Sequence, residues 1–137
     1  MDYSKELEIA YQLVDSDKYL EALAYIEGVR KAGCDDVILY LYEALCAYEA
    51  NDDLETLRLL TEFLSKAGDH IKREYALFTF ATSLMNLGLP NEALSIFNLV
   101  SDSYPNINKE RISAKKDKKL QESSLLYYSN ILGRLDA

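Results

Sequence analysis

The sequence contains no tryptophan, one histidine, two cysteines, two prolines and five glycines in 137 residues. So few breakers of regular structure, among many straight-chain residues, favour helix along the whole chain. A catalytic or metal-binding histidine needs partners at defined spacing, such as a second histidine four residues on or a nearby cysteine pair. His70 has neither, and reads as a surface residue at a helix start. Cys34 and Cys46 are too few and too separate for a disulfide framework, and read as free thiols on helical segments in a reducing compartment. Phosphate loops of the form GxxxxGK, GxSxG elbows and HExxH motifs are also missing. The longest uncharged stretch, Tyr75–Asn91, is interrupted by Thr, Ser, Asn, Gly and Pro, and reads as a buried helix rather than a membrane span. The opening MDYSKELE lacks the apolar run of a signal peptide. The expectation is a cytoplasmic chain that is not an enzyme, carries no cofactor or metal and enters no membrane.

Positive charge is scarce over most of the chain. Residues 1–107 hold 19 acidic and 8 basic side chains, a balance of −11, whereas residues 108–137 hold 4 and 7, a balance of +3. An acidic body repels phosphate, which excludes nucleic acid and anionic membranes as main partners and suits a basic protein surface. Solubility alone would also explain the acidity.

What the chain does have is repetition, the first thing to look for in a helical sequence. KAG occurs at Lys31–Gly33 and again at Lys66–Gly68, 35 residues on. EAL occurs at Glu21–Leu23 and Glu92–Leu94, 71 residues apart, about twice that period. Turn residues divide the chain into seven helices. The first spans about Asp2–Val14 and is broken by Asp15, Ser16 and Asp17. The second, about Lys18–Ala32, ends at Gly33, which suits a left-handed cap. Asp35 or Asp36 caps the third, which runs to about Ala50. Asn51, Asp52 and Asp53 turn into the fourth, which ends at Gly68. Asp69 opens a fifth that runs to Leu87 and Gly88. Pro90 sits in the first turn of the sixth, which stops before Pro105, and a seventh covers about Lys109–Leu135.

Helix pairs joined by short turns at a period near 35 resemble tetratricopeptide (TPR) repeats. The third unit, LFTFATSLMNLGLPNEALSIFNLVSDSYP, resembles the TPR consensus most closely, through Ala81, Gly88, Ala93, Phe97 and Pro105. The first unit follows through Ala10, Leu13, Tyr19, Ala22 and Ile26, with Cys34 where proline usually stands. The middle unit keeps Ala44 but has Asp53 for the aromatic residue and Thr56 for the small alanine, so its register is open by one residue. The fold expected is an all-α, TPR-like superhelical stack. Its repeats would occupy 1–107, in units of about 2–34, 35–68 and 69–105. Residues 108–137 would supply a basic segment and a C-terminal capping helix. In that helix Leu125, Tyr128, Ile131, Leu132 and Leu135 form a stripe expected to cover the end of the last repeat. Lys109–Ser124 reads as solvated and partly disordered.

The resemblance implies a concave groove lined by the first helix of each pair. By register the groove would present Leu7 and Tyr11, then Leu41, Leu45 and Tyr48, then Tyr75, Phe78, Thr82 and Met85. Such an apolar, aromatic lining suits the apolar face of an amphipathic helix or an extended apolar peptide. The same residues could instead be core. The TPR subtype that grips acidic C-termini needs Lys and Asn where Leu7, Tyr11, Leu41 and Leu45 stand, so that ligand does not fit. Size and lining are similar, at fold level, to small TPR-type secretion chaperones. An adaptor or chaperone is therefore expected. A structural subunit in a homo- or hetero-oligomer, and an acidic inhibitor or immunity-type protein for a basic partner, stay open beside it. Asp15, Ser16 and Asp17 open like a calcium loop, but Leu20 stands where glycine is required and Ile26 where a carboxylate is. Asp35, Asp36, Asp52 and Asp53 sit at helix starts, where carboxylates favour the dipole, and read as caps.

Overall fold

The computed structural model describes residues 2–136. Met1 and Ala137, the outermost residues of the two expected segments, lie outside them. Seven helices follow one another: α1 Ser4–Asp15, α2 Tyr19–Lys31, α3 Ile38–Glu49, α4 Asp53–Ala67, α5 Arg73–Asn86, α6 Pro90–Phe97 and α7 Ile107–Asp136. There is no strand among the described residues. The chain is all-α, and each helix packs on the next. α1 also reaches α3, which ties the first hairpin to the second.

The turns fall at the polar and glycine clusters. Asp17, Gly33, Asn51, Gly68 and Gly88 all take left-handed backbone after α1 to α5 in turn, and Asn106 does so before α7. Gly33 is held by two demands at once. Its φ is +112°, and a Cβ there would come within 2.9 Å of the Tyr3 hydroxyl. That hydroxyl donates to the Ala32 carbonyl at 2.7 Å, pinning the start of α1 to the end of α2. Caps follow the acidic pairs. The Asp52 carboxylate accepts the Glu55 N–H, and Asp36 accepts the N–H of Ile38, the first residue of α3.

Small residues mark where helices approach. Ala10, Ala44 and Ala81 on α1, α3 and α5, and Ala22, Thr56 and Ala93 on α2, α4 and α6, are all completely buried. The exception to alanine, Thr56, satisfies its hydroxyl by donating to the Asp52 carbonyl at 2.8 Å. Around these positions Leu60 and Phe63 fill the middle of the stack and Phe97 the C-terminal end. Burying side chains of this size stabilises by about 1.5–3 kcal/mol each. On the outside, Arg30 pairs with Glu43 and lies 4.4 Å from the Tyr40 ring centre, and Lys66 lies 4.8 Å from it, linking α2, α3 and α4. Both cysteines are free and buried.

Five expectations change. α5 begins at Arg73, not Asp69. His70 occupies the turn before it, half-buried rather than on the surface. It meets Phe63 edge-on at 5.3 Å and accepts the Lys72 N–H at Nδ1. α6 stops at Phe97, well short of Pro105. There Arg111 donates to the carbonyls of Phe97 and Val100, at 3.2 and 2.6 Å, taking oxygens that a longer helix would have used. Lys109–Ser124 is continuous helix, not a loose segment.

The cap differs most. α7 closes the stack with its first half, not with the expected stripe. Ile107 and Ala114 are buried, Arg111 and Lys118 are half-buried, and the Gln121 side chain donates to the Gly88 carbonyl at 3.0 Å. Ala114 follows Ala81 by 33 residues, continuing the series Ala10, Ala44 and Ala81. The first half of α7 thus takes the place of a fourth opening helix. Beyond Gln121 the stripe is uncovered: Leu125, Tyr128, Leu132 and Leu135 are 63%, 61%, 42% and 76% exposed, and Ile131 is 36% exposed.

Candidate functional site

Two hollows lie along the face formed by α1, α3 and α5. The first, about 330 Å³, is lined by Tyr11, Val14, Leu41, Tyr42, Leu45 and Tyr75, with Asp15, Asp17, Tyr19, Glu49 and Lys72 around it. The second, about 240 Å³, is lined by Leu45, Tyr48, Tyr75, Phe78, Thr79 and Thr82, with Glu49 and Glu110 at its edge. They share Leu45, Glu49 and Tyr75, so they form one depression that crosses three helices. Helical spacing produces it: Leu41, Leu45 and Glu49 recur every four residues on α3, as do Phe78 and Thr82 on α5.

Six of the nine expected residues meet here with surface left to offer: Tyr11, Leu45, Tyr48, Tyr75, Phe78 and Thr82. Leu41 reaches the floor but is only 2% exposed, and belongs mainly to the core. Leu7 lies outside both hollows, wedged between the clusters of the first and second hairpins. Met85 also lies outside, against the cluster beneath α5 and α6. Phe78 is shared between groove and core, since its ring meets Phe97 at 5.6 Å and Tyr104 at 5.1 Å. Thr82 spends its hydroxyl proton on the Phe78 carbonyl, which leaves its methyl as the distinctive lining group.

Sequence reasoning missed Tyr42, Tyr19 and the charged rim. Tyr42 stacks at a tilt on Tyr11, with ring centres 6.0 Å apart. It follows Leu41 directly, where the one-residue ambiguity of the middle unit lay. Glu49 carried a usable signal, because it stands four residues after Leu45 on the same face.

Electrostatics keep the lining neutral. Burial raises the phenol pKa of Tyr75, with Glu49 adding to it. Burial likewise raises Tyr48, with Asp53 and Glu49 contributing, and Tyr42, with Glu8 next. The Tyr19 phenol is pushed up to about 12, chiefly because its hydroxyl donates to Asp17 at 2.6 Å. The floor therefore offers aromatic faces and neutral hydroxyl groups, while the rim is mostly carboxylate with Lys72 as its cation.

No family model, curated protein or solved structure matches the chain. No helix among the described residues is long and apolar enough to cross a membrane.

Proposed function

We propose that the chain is a TPR-like protein-interaction module, an adaptor or chaperone, which holds an apolar helical or extended segment of a partner protein along this depression. One observation carries the reading: half-exposed aromatic residues from α1, α3 and α5 line one continuous hollow, edged by carboxylates. Tyrosine suits such a role, giving large contact area with few rotatable bonds. The edge favours a ligand whose apolar stripe is flanked by basic residues. A cytoplasmic setting fits the two free, buried thiols.

The test is fluorescence anisotropy with labelled amphipathic helical peptides carrying basic or acidic flanks. Basic-flanked peptides should bind more tightly, and Tyr75→Glu should abolish binding without unfolding the chain. Tyr75 is the cleaner probe than Phe78, whose loss would also open the core. Binding that is equal for both flanks, or untouched in Tyr75→Glu, would sink the reading. Binding by charge alone, as an acidic inhibitor would show, predicts steep weakening with salt and indifference to apolar content.

A further inference from the structure

The first hollow of the depression combines two features that suit one kind of guest. Four tyrosines line it, Tyr11, Tyr19, Tyr42 and Tyr75, and the Tyr11 and Tyr42 rings are inclined to each other at 48°. Three carboxylates, Asp15, Asp17 and Glu49, stand around it against one cation, Lys72, a net charge of −2 (three carboxylates less one ammonium). Among the described residues, none of the three carboxylates has a lysine or arginine within salt-bridge distance. Ring faces carry negative potential and the carboxylates add to it, so the hollow favours an organic cation over an anion or a purely apolar group. Its volume of about 330 Å³ is at the small end for ligand pockets, room for one side chain.

Helix ends add to that field. Asp15 is the last residue of α1 and Glu49 the last of α3, so both helices bring the negative ends of their dipoles to the hollow. Neither has a basic residue in its last turn, whereas α2 carries Arg30 and Lys31 there and α4 carries Lys66. α5 brings one positive end with Lys72, which the two negative ends outnumber. Glu49 is central. Its charge adds to the rise of the Tyr48, Tyr75 and Tyr19 phenols, behind burial for the first two and behind the Asp17 bond for the third. The chain shows elsewhere what such surroundings accept. On the outer face Arg30 pairs with Glu43 and lies 4.4 Å from the centre of the Tyr40 ring, a guanidinium shared by an aromatic face and a carboxylate. The hollow offers the same two partners in Tyr75 and Glu49, and no arginine is among its lining residues.

We propose that the first hollow is a pocket for one arginine side chain of the bound partner segment. The guanidinium lies against the Tyr42 and Tyr75 rings with its charge toward Glu49 and Asp15, and its alkyl stem packs over Leu45. Arginine suits the place better than lysine, because the planar guanidinium is less strongly hydrated, stacks on rings and serves two carboxylates at once. This pocket belongs to the groove proposed above, and the source of its arginine rests on that reading. A general preference for basic flanks thereby becomes a single anchor. From it the apolar stripe of the ligand runs toward Phe78 and Thr82 in the second hollow, so the arginine stands at one end of the stripe.

The probe is N-acetyl-arginine amide, titrated into the isotopically labelled full chain and followed by NMR. Backbone amides of Tyr11, Tyr42, Glu49 and Tyr75 should shift together, with a dissociation constant on the order of 1 mM. N-acetyl-citrulline amide, which keeps the shape and loses the charge, should bind about tenfold more weakly, and N-acetyl-lysine amide should fall between the two. Glu49→Gln should weaken the arginine probe roughly threefold. Glu92→Gln, which removes an exposed carboxylate from the start of α6, should leave it unchanged. Equal binding of the arginine and citrulline probes, tighter binding of the lysine probe, shifts confined to residues away from the hollow, or an effect of Glu92→Gln as large as that of Glu49→Gln would each overturn the proposal. Anisotropy with the basic-flanked peptides separates the pocket from the groove. Binding of the arginine probe without binding of the peptides would keep the pocket and strike the groove. Peptide binding indifferent to replacing each flanking arginine by citrulline would keep the groove and strike the pocket.

Discussion

The two halves of α7 carry the same pattern and meet opposite fates. Between Ile107 and Gln121 the inward face holds one isoleucine, one alanine, an arginine, a lysine and a glutamine, and it is the half that packs. Between Leu125 and Leu135 the face is far more apolar, and it is bare. Periodicity therefore names the face a helix will bury, while burial itself depends on what lies opposite. The packed half succeeds because small and long side chains suit the site. Ala114 admits close approach, and Arg111 donates to the Val100 carbonyl and joins the Val100 N–H on the Phe97 carbonyl at the end of α6.

Substitutions can sharpen or break this contrast. The largest effect belongs to Ile107→Ala, which empties a site that is 1% exposed and should cost about 2–5 kcal/mol in urea unfolding. Leu132→Ala, at a site 42% exposed, should stay within about 0.5 kcal/mol. If the two matched, the contrast would be lost. Arg111→Ala comes next, at about 1–3 kcal/mol, because it leaves the Val100 carbonyl without its donor and removes one of two donors from the Phe97 carbonyl. Its ion pair with Asp102 adds little, since that carboxylate is 90% exposed. Arg111→Lys should recover only part of the loss, as one ammonium cannot serve both carbonyls and Asp102 in the guanidinium's fork geometry.

The body should also show an alkaline limit of its own. Burial raises the Tyr42, Tyr48, Tyr75 and Tyr104 phenols above their ordinary value of 10.0. The folded state then holds protons that the unfolded chain releases. The stabilisation is complete below pH 10 and is lost as pH rises through the folded values. Unfolding free energies measured at increasing pH, with tyrosinate absorbance alongside, should fall together above that point. A flat profile would contradict the partial burial of the groove tyrosines. A small effect is expected of Gln121→Ala, which removes the bond from α7 to the Gly88 carbonyl, at about 0.5 kcal/mol.

The seven helices were legible because each break in the pattern carries residues that tolerate left-handed backbone, from Asp17 to Gly88. The small positions were equally legible, and Ala10, Ala22, Ala44, Thr56, Ala81 and Ala93 all lie at zero exposure. The groove was read in part. Tyr11, Leu45, Tyr48, Tyr75, Phe78 and Thr82 could be placed by helical spacing, but Leu7 and Met85 could not be separated from core by spacing alone. Both pack against buried clusters instead. The end of α6 was illegible for another reason. It depends on Arg111, fourteen residues past Phe97, and no local pattern records a bond made across that gap.

Because each helix packs chiefly on its neighbours in sequence, the native contacts are mostly short-range along the chain. Closing them costs little loop entropy, and a helical hairpin can form before the next one has been made. Refolding should therefore be rapid, in the microsecond-to-millisecond range of proteins rich in local contacts. Growth from a hairpin already formed, rather than a search for distant partners, would set its rate.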